Sequence, residues 1–505
     1  MSTPFVIWWV KRDCRIDDNP ALAAAIRTGR PVLPLFCFEP HILASSDYSP
    51  LHLHAQTEAV EGLRSQLRSR GGDIYVSYDE VLPTLERIIG VRAIEAIYAH
   101  EEVGNGLTFA RDKKVTAWCR ERGVRYVELP QSSVQRGGID RDTMHAMWRE
   151  RIIDSPVITP PTTIPMTAAM RCSAGTTVIR AVSGSREWQS VSEEAGHATL
   201  SDFLYHRGIR YRGGISSPNT AFGAGSRLSV HLAWGTLSLR RVYQATTKRI
   251  TELRSSSAPD SGRWCQSLGA FLSRLHWRDH FTQRLESEPE MEFQSLHPGF
   301  RELTYENDPH LFELWRLGRT GFPLVDAVMR CLSGCGFVNF RMRAMVVSFA
   351  CHALHLDWRL IHPHLAGVFR DYEPGIHLSQ LQMQAGVVGL NTVRVYSPIK
   401  QQLDHDSACR FIKRWIPELE EFSPEAIASG RALGDYPTPV IDWAERSKAM
   451  RGELYRIKRS VEQKTATDAV FKKHGSRKRR LGRARSRSTP GASGAQIPLL
   501  FAGKP

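Results

Sequence analysis

The chain has 505 residues, of which 42% are apolar or aromatic, and a formal net charge of +15. This length exceeds one ordinary hydrophobic core and favours two or three domains. No run of 18 apolar residues occurs, and the first residues lack the basic flank and small-residue cleavage site of a signal peptide, so we expect a cytoplasmic protein without a membrane span.

The first 130 residues alternate between predicted strands and helices. Strands are predicted at 5–10, 31–38, 73–76, 93–98 and 125–129, and helices at 21–28, 54–69, 79–88 and 107–122. This alternation, with continuous apolar strands such as FVIWWV, predicts a parallel α/β sheet covered on both faces. No GxGxxG fingerprint follows the first strand. The polar turn with Arg12, Asp17, Asp18 and Asn19 is equally consistent with helix capping and with a binding role.

The pattern changes twice after residue 130. Residues 131–200 are rich in Pro, Thr and Ser with weak periodicity, which is typical of an interdomain connection. From 201 to 462 the pattern is helical without a strand-rich stretch, so the second domain is predicted to be all-α. Residues 463–505 hold eleven Lys and Arg against one Asp, a charge of +10, and we expect a disordered basic tail suited to phosphate backbones.

The nine cysteines show no CxxC motif and no metal-ligand spacing. An odd number in this arrangement argues for reduced, mostly buried thiols, and against a disulfide framework, a zinc site or an iron–sulfur site. We therefore predict that the protein has no metal centre.

Two arginines, Arg341 and Arg343, interrupt the apolar run 338–354. A guanidinium on a core-facing helix needs a fixed partner or a bound anionic group. Asp371, which opens Asp-Tyr-Glu-Pro after the next predicted helix, is the candidate partner. The alternative is that both arginines extend into solvent.

Two other segments have binding chemistry. Small and hydroxyl residues at 223–229 precede an apolar helix, where backbone N–H groups and Ser hydroxyls make an anion cradle, although a capped helix after a glycine loop is the alternative. In FLSRLHWRDHF at 271–281, Trp277 and Arg278 offer a stacking face and a phosphate contact, which suits an extruded or single-stranded base. The alternative for Trp277 is a place in the core.

These segments, with WVKRDCRIDDNPAL near the N-terminus and FRDYEPGIHLSQLQMQAGVVGLNTVRVYSPIKQ from 369, resemble the photolyase/cryptochrome family over roughly residues 4–130 and 200–460. The resemblance implies an α/β antenna-type domain followed by an all-α domain that binds FAD noncovalently. It also implies that reduced FAD, after absorbing blue light, gives one electron to a pyrimidine photolesion in UV-damaged DNA. An antenna chromophore is implied, but the position of the folate-binding carboxylate is Thr108, so its identity stays open.

The resemblance assigns roles to individual residues. Those implied to bind the cofactor are Tyr211, Ser226, Arg227, Leu228, Ser229, Asn339, Arg343, Asp371, Tyr372 and Glu373. Those implied in catalysis are Arg343, Asp371, His377 and Trp358. Those implied at DNA or the lesion are Arg274, Trp277, Arg278, Phe340, Lys400 and Gln401.

His377 stands at the position that faces flavin N5, where most repair enzymes have Asn. A hydrogen bond or charge from His377 would favour the reduced anionic flavin. The alternative is a surface histidine just after a helix break at Pro374-Gly375.

Several positions depart from the pattern of the repair enzymes. On the lesion side, Arg274 stands in place of a Glu that hydrogen-bonds thymine, which changes both charge and donor pattern. Phe340 and Ala344 stand in place of an Asn and a Met. Of the three tryptophan positions that carry electrons to the flavin, only one is retained, and they read Leu381, Trp358 and Tyr305. Photoreduction would therefore need another route, for which Trp315, Trp277 and Tyr396 are candidates.

Two other functions remain open beside repair. One is a cryptochrome-like blue-light photoreceptor, and the other is a light-independent DNA-binding redox flavoprotein. We expect a monomer associated with the nucleoid, acting on single- or double-stranded DNA. The segment Gln496–Phe501, QIPLLF, resembles peptides by which bacterial repair and replication proteins dock on the sliding clamp, and a tail without a partner is the alternative.

Overall fold

The structure is a computed structural model that describes residues 4–91, 93–138, 143–390, 393–430, 433–459 and 470. The predicted docking peptide at 496–501 and nearly all of the predicted basic tail lie outside the described residues. Among the helices of the described ranges, none combines the length and apolar character needed to cross a membrane.

Five parallel strands form the sheet of the N-terminal domain, in the order β3-β2-β1-β4-β5. Every residue of the two strands nearest the N-terminus is buried, because helices cover both faces of the sheet. The chain runs outward from the first strand to the third and then returns to place the fourth beside the first. The strands are β1 Phe5–Val10, β2 Val32–Cys37, β3 Tyr75–Ser77, β4 Ile94–His100 and β5 Arg125–Leu129.

The helices of this domain share its hydrophobic core with the strands. They are α1 Pro20–Arg27, α2 Pro40–Leu43, α3 Pro50–Arg68, α4 Val81–Ile89 and α5 Gly106–Arg122. The short α2 was missed by the sequence analysis, because four residues are too few to show a helical period. The predicted α/β architecture is confirmed.

The connection between the domains contains more regular structure than its composition indicated. It includes α6 Met144–Trp148, a π-helical turn Arg149–Asp154 and α7 Ala168–Gly175. The side chain of Thr167 accepts a hydrogen bond from Met170 N and so caps α7. Helix α8, Glu193–Asp202, also begins within the predicted connector, so the helical region starts earlier than residue 201.

The C-terminal domain is helical throughout residues 193–390, 393–430 and 433–459, where only an isolated bridge between Leu433 and Tyr436 has β pairing. This confirms the prediction of an all-α second domain. After α8 its helices are α9 Tyr211–Gly214, α10 Pro218–Ala224, α11 Ser229–Ala233, α12 Leu239–Arg254, α13 Ser261–Ser287, α14 Pro309–Leu317, α15 Pro323–Cys335, α16 Phe340–His352, α17 Trp358–Val368, α18 Pro374–Ala385, α19 Pro398–His405, α20 Arg410–Trp415, α21 Pro424–Ala428 and α22 Trp443–Arg459. A π-helical turn Phe203–Arg207 and 3-10 turns lie between them, the latter at Gly208–Arg210, Pro289–Glu292, Pro298–Phe300 and Pro417–Leu419.

Two ion pairs, which we call the interdomain clamp, join the turn after β1 to the start of α12. Asp18 Oδ1 lies 2.6 Å from Arg240 Nη2, and Asp17 Oδ2 lies 2.7 Å from Arg241 Nε. Only Asn19 acts as the helix cap, accepting from Leu22 N. The capping interpretation of the polar turn therefore holds for Asn19, while both aspartates bind the second domain.

Candidate functional site

Helices α16 and α18 enclose a pair of opposite charges. Arg343 donates from Nη1 to Asp371 Oδ1 at 2.9 Å and from Nη2 to Oδ2 at 3.1 Å, a bidentate geometry that fixes both groups. Burial raises the pKa of the Asp371 carboxyl, but the charge and hydrogen bonds of Arg343 and a bond from Ser229 outweigh this and hold the pKa below its ordinary value. Arg343 therefore does not extend into solvent.

This pair lies in the wall of a pocket of about 560 Å³, which we call the helical cavity. Its lining is mostly apolar, with charge confined to a few side chains. Phe340, on α16, is 54% exposed and takes part in the lining. The lining residues are Phe340, Arg343, Ala344, Val347, Phe369, Asp371, Tyr372, Glu373, Ile376, His377, Gln380, Leu381 and Gln384.

His377 is buried inside α18 and faces the helical cavity. The helix begins at Pro374 and is not broken there, so the surface interpretation of this histidine is wrong. Burial, followed by the neighbouring His362, Arg343 and His52, lowers the pKa of His377 far below its ordinary value. Its Nε2 has no hydrogen-bond partner among the described residues. A neutral imidazole with one free nitrogen therefore faces the cavity.

The predicted anion cradle is a loop held from behind by Arg207, which donates to the carbonyl oxygens of Gly225 and Ser226. Helix α11 after it has only five residues, so the helix dipole contributes less than the sequence led us to expect. Arg227 takes a left-handed backbone, with φ 59°, and its guanidinium lies 3.6 Å from the ring centroid of Phe337. Its Nη1 is buried without a partner in the described ranges.

The loop ends with one buried and one exposed residue: Leu228 lies in the core, and Ser229 lies on the surface. Asn339 precedes α16 and donates from Nδ2 to the carbonyl oxygens of Ile215 and Ser216, at 3.1 and 2.8 Å. It thus fixes the segment that precedes the loop.

Tyr211 packs edge-on against Phe203 and Phe271 in a separate apolar cluster. Its ring is absent from the lining of the helical cavity. The contact of Tyr211 with the cofactor, which the resemblance implies, therefore requires a ligand that extends beyond the helical cavity.

Three of the residues that were expected at DNA or the lesion lie on α13. Arg274 is exposed, and the half-buried Trp277 stacks on Phe281 with ring centroids 5.5 Å apart. Arg278 donates to Glu373 Oε2 at 2.8 Å and to Asp279 Oδ1 at 3.1 Å, so its charge is already compensated by protein carboxylates.

Lys400 and Gln401 were both expected to face DNA, and the structure separates them. Lys400 is exposed and lies 3.3 Å from Asp404, whereas Gln401 is only 7% exposed. Successive residues of α19 point in different directions, so only Lys400 lies on the surface as predicted.

The predicted electron-carrying positions are distributed through the helical core. Trp358 is fully buried and donates to Ser295 Oγ at 3.4 Å. Leu381 lines the helical cavity, and the hydroxyl of Tyr305 is buried without a partner among the described residues. An aliphatic side chain therefore occupies the position closest to the cavity.

A second pocket, of about 690 Å³, lies at the carboxyl ends of β1 and β2 and is called the sheet cavity below. Arg12, for which the sequence left a binding role open, lines this pocket, and the other polar residues close after the two strands, Lys11 and Glu39, are a signal that was not used. Thr108 and Tyr372 also line it, so that Tyr372 contributes to both cavities.

Three buried polar atoms near the Arg343–Asp371 pair lack partners in the described part of the chain: Arg227 Nη1, Asn339 Oδ1 and His377 Nε2. Buried donors and acceptors of proteins are rarely left unpaired without a ligand or water. Of these three residues only His377 lines the helical cavity, and Arg227 and Asn339 lie outside its lining. Two arginines, an amide and an imidazole near the Arg343–Asp371 pair fit a ligand that extends beyond this cavity and has an aromatic ring system and anionic groups. FAD has this chemistry.

Comparison with protein families gives two matches that follow one another along the chain. Residues 6–138 match the model described as DNA photolyase, and residues 271–456 match the FAD binding domain of DNA photolyase. The second match contains Arg343, Asp371 and His377, and so covers the helical cavity.

Curated relatives with two kinds of name align over most of the chain. Cryptochrome DASH of Gloeobacter violaceus is 27% identical over 497 residues, covering 89% of this chain and 95% of its own. Deoxyribodipyrimidine photo-lyase of Thermus thermophilus is 28% identical over 432 residues, covering 84% and 94%.

Solved structures support the fold. An archaeal photolyase from Sulfolobus tokodaii with two FAD molecules, described as implicating a novel light-harvesting cofactor, has a TM-score of 0.74 at 24% identity and covers 89% of this chain and 99% of its own. A cryptochrome from Synechocystis has a TM-score of 0.76 at 22% identity, covering 89% and 99%.

Proposed function

Because the chain belongs to the photolyase/cryptochrome family and has that family's FAD-binding domain, we propose that it is a blue-light-dependent DNA photolyase that splits a pyrimidine photolesion. The observation that carries the proposal is the bidentate Arg343–Asp371 pair in the wall of the helical cavity. It provides fixed charge beside an apolar pocket whose polar atoms are incompletely paired.

The residues proposed to hold FAD divide by chemistry. The guanidinium of Arg227 and the Ser226 and Ser229 hydroxyls suit the diphosphate, while Leu228 anchors their loop in the core. Bound in reduced form, FAD supplies the absorption of blue light and the electron that opens the lesion. Other residues proposed at this ligand are Tyr211, Asn339, Arg343, Asp371, Tyr372 and Glu373.

The protein itself supplies position, polarity and exclusion of water. Arg343, locked by Asp371, presents a fixed positive charge that favours an anionic ring system. His377, kept neutral by burial, offers one ring nitrogen as a hydrogen-bond donor or acceptor, depending on its tautomer. The apolar lining strengthens these interactions by lowering the local dielectric.

We assign the DNA-facing side to exposed or half-buried residues near the helical cavity. Phe340 and Trp277 offer aromatic faces for an extruded base, and Arg274 and Lys400 offer positive charge for phosphates. Arg278 acts indirectly in this proposal, since its ion pair with Glu373 holds α13 against the start of α18.

The sheet cavity is the proposed site of a second chromophore. Its position at the carboxyl ends of parallel strands, between the two domains, is where open α/β sheets bind ligands. The Sulfolobus tokodaii structure, described with two FAD molecules, provides an example of a second cofactor within this fold.

A blue-light photoreceptor is the second candidate function. It is favoured by Arg274 and Phe340 on the lesion side and by the relatives named cryptochrome DASH. A light-independent redox flavoprotein would share the same cavity but would show no response to illumination.

The test uses the purified full chain, chemically reduced after its absorption spectrum has been recorded. It is illuminated with blue light in the presence of oligonucleotides that contain a cyclobutane dimer, a 6-4 lesion or no lesion. We expect one lesion to disappear only in the light. Bound FAD with both lesions intact would overturn the repair proposal and favour the photoreceptor.

A further inference from the structure

Tyr372 forms part of the wall between the two cavities. It lines both the helical cavity and the sheet cavity, follows directly after Asp371, and is only 4% exposed. Its hydroxyl donates to Asp47 Oδ2 at 2.7 Å. The ring therefore borders the proposed flavin pocket, while its proton is directed toward a carboxylate of the α/β domain.

Asp47 is ionised and can therefore accept a proton from Tyr372. Besides Tyr372, the hydroxyl of Ser45 donates to its Oδ1 at 2.8 Å, and Asn105 Nδ2 donates to its Oδ2 at 3.0 Å. Burial raises the pKa of the Asp47 carboxyl, but these hydrogen bonds and the nearby His362 outweigh burial and lower it. Asp47 is thus ionised at neutral pH, with its negative charge directed at the phenol.

Aromatic rings surround the phenol on both sides. His52 stacks on Tyr372 with ring centroids 5.6 Å apart, and His377 meets it edge-on at 5.2 Å. Trp234 lies 5.8 Å beyond His52 and also lines the sheet cavity. This arrangement provides a continuous set of rings from the helical cavity to a pocket that is open to solvent.

A second buried tyrosine provides the contrast. Tyr305 is embedded in the helical core, but its hydroxyl has no partner among the described residues. A tyrosine loses an electron readily only if its phenolic proton can leave at the same time, because the protonated radical cation is a very strong acid. Tyr372 has an acceptor for that proton, and Tyr305 has none in the described part of the chain.

We propose that Tyr372 is the electron donor next to the flavin, and that Asp47 takes its phenolic proton in the same step. The proposal rests on the proposed function, since it requires FAD in the helical cavity. The oxidant is light-excited oxidised flavin, which gains one electron. The Tyr372 O–H bond breaks, an O–H bond forms on Asp47, and a neutral tyrosyl radical remains.

The cycle closes with an external reductant. A thiolate from solvent gives one electron to the radical and leaves as a thiyl radical, and Asp47 returns the proton to the phenol oxygen. Because both steps leave Tyr372 uncharged, no new positive charge is created between Arg12 and Arg343. Leu381 then presents no obstacle, since the electron comes from a different residue of the cavity lining.

The experiment uses the FAD-loaded full chain in its oxidised form with dithiothreitol as the thiol. Flash illumination is followed by electron paramagnetic resonance for a tyrosyl radical and by infrared difference spectroscopy for a protonated carboxyl group. The variants are Tyr372→Phe, which keeps the ring, and Asp47→Asn, which keeps a hydrogen-bond acceptor. Tyr305→Phe is the matched control, since it removes a buried hydroxyl without a proton acceptor.

We expect wild type and Tyr305→Phe to give both signals. Tyr372→Phe should abolish the radical, and Asp47→Asn should reduce the rate of photoreduction by about a hundredfold and abolish the carboxyl band. Wild-type radical yield in either of these two variants, or its loss in Tyr305→Phe, would overturn the proposal. If Tyr372→Phe does not retain FAD, Asp47→Asn decides alone.

The same preparation separates this proposal from the proposed function. Chemically reduced wild type needs no internal electron donor, so its repair of lesions under blue light does not depend on Tyr372 photochemistry. Radical formation without repair would support the donor role and contradict the photolyase. Repair without the tyrosyl radical would support the photolyase and contradict the donor role of Tyr372.

Discussion

The interdomain clamp and the helical cavity both contain buried arginine–aspartate pairs, but they differ in how completely their polar atoms are paired. In the clamp, each carboxylate oxygen of Asp17 and Asp18 accepts at least one hydrogen bond. Around the Arg343–Asp371 pair, Arg227, Asn339 and His377 each keep an atom without a partner in the described ranges. Both regions thus contain arginine–aspartate pairs, but only the region around the Arg343–Asp371 pair keeps polar atoms that a ligand could bind.

The difference indicates how a binding site can be distinguished from a structural contact. A saturated ion pair holds elements together and has nothing left to offer a ligand. Unpaired polar atoms beside an ion pair carry a cost that a ligand can remove, so folding stability and ligand binding are linked at that place. Changes in the clamp should therefore alter stability, and changes around the cavity should alter ligand retention.

The largest expected effect is in the clamp. In the variant Asp18→Asn, asparagine can adopt the left-handed backbone of this position, so the backbone is not strained. The Arg240 guanidinium loses its charge partner, which should lower the free energy of unfolding by about 3–5 kcal/mol. Urea unfolding measures the change. Asp260→Asn, which affects an ion pair whose side chains are 71% and 57% exposed, is the control and should cost about 1 kcal/mol or less. Equal losses would contradict the difference between the regions.

The two regions should also weaken in different pH ranges. Burial lowers the pKa of His52, which stacks on Tyr372, from 6.5 to about 4. The stability that the neutral imidazole contributes is therefore complete above pH 6.5, the pKa in the unfolded chain. It is lost as the pH falls toward 4, by up to about 3 kcal/mol of unfolding free energy. Burial raises the pKa of Asp18, but bonds from Arg240, Ile158 N and Ser238 outweigh it, so the clamp weakens only below the unfolded value of 3.8.

Thermal unfolding midpoints at pH 7, 5 and 4 test this order. His52→Gln can still donate to Phe369 O but does not titrate, so its midpoint should change less between pH 7 and pH 4 than that of wild type. An unchanged pH profile in this variant would assign the acid sensitivity to other groups.

A third effect concerns ligand retention. Asp371→Asn removes the charge that holds Arg343 and should weaken FAD binding by about tenfold, or about 1.4 kcal/mol. Fluorescence titration of the apoprotein with FAD measures the affinity. Asp404→Asn, at the exposed partner of Lys400, is the control and should bind FAD like wild type. Undiminished affinity in Asp371→Asn would remove the main support for FAD in the helical cavity.

The smallest effect is expected at the surface. Lys400→Ala should weaken DNA binding slightly and reduce by about one unit the slope of log affinity against log salt, if Lys400 contacts one phosphate. Lys248→Ala, an exposed residue of α12, is the matched control. An unchanged slope in Lys400→Ala would remove this lysine from the DNA-facing side.

Local patterns predicted the features that depend on neighbouring residues. Strand–helix alternation predicted the sheet, and an arginine within an apolar run indicated that Arg343 needs a partner, which is Asp371. Positions that depend on distant contacts could not be found in this way. The arginine partners of Asp17 and Asp18 lie more than 200 residues away, and the link from Tyr372 to Asp47 spans 325 residues.

Burial was a second source of error. Helical periodicity does not show which side of α19 is covered by later elements, so Gln401 was predicted to lie on the surface with Lys400. For the same reason the ion pairs of Arg278 with Glu373 and Asp279 were not foreseen. The pair with Glu373 forms because α13 packs against the start of α18, a tertiary contact without a sequence signal, whereas Asp279 is the next residue of the same helix.

Residues 370–373, four consecutive positions, bind three separate parts of the molecule: the stretch 47–58, α16 and α13. Arg370 binds Leu51 O and Glu58, Asp371 binds Arg343, Tyr372 binds Asp47, and Glu373 binds Arg278. During synthesis, the α/β domain leaves the ribosome long before this segment exists. The helical cavity is completed only after α18 has emerged, because Ile376, His377 and Leu381 also line it. A ligand of the helical cavity therefore binds only after the whole α/β domain has been made.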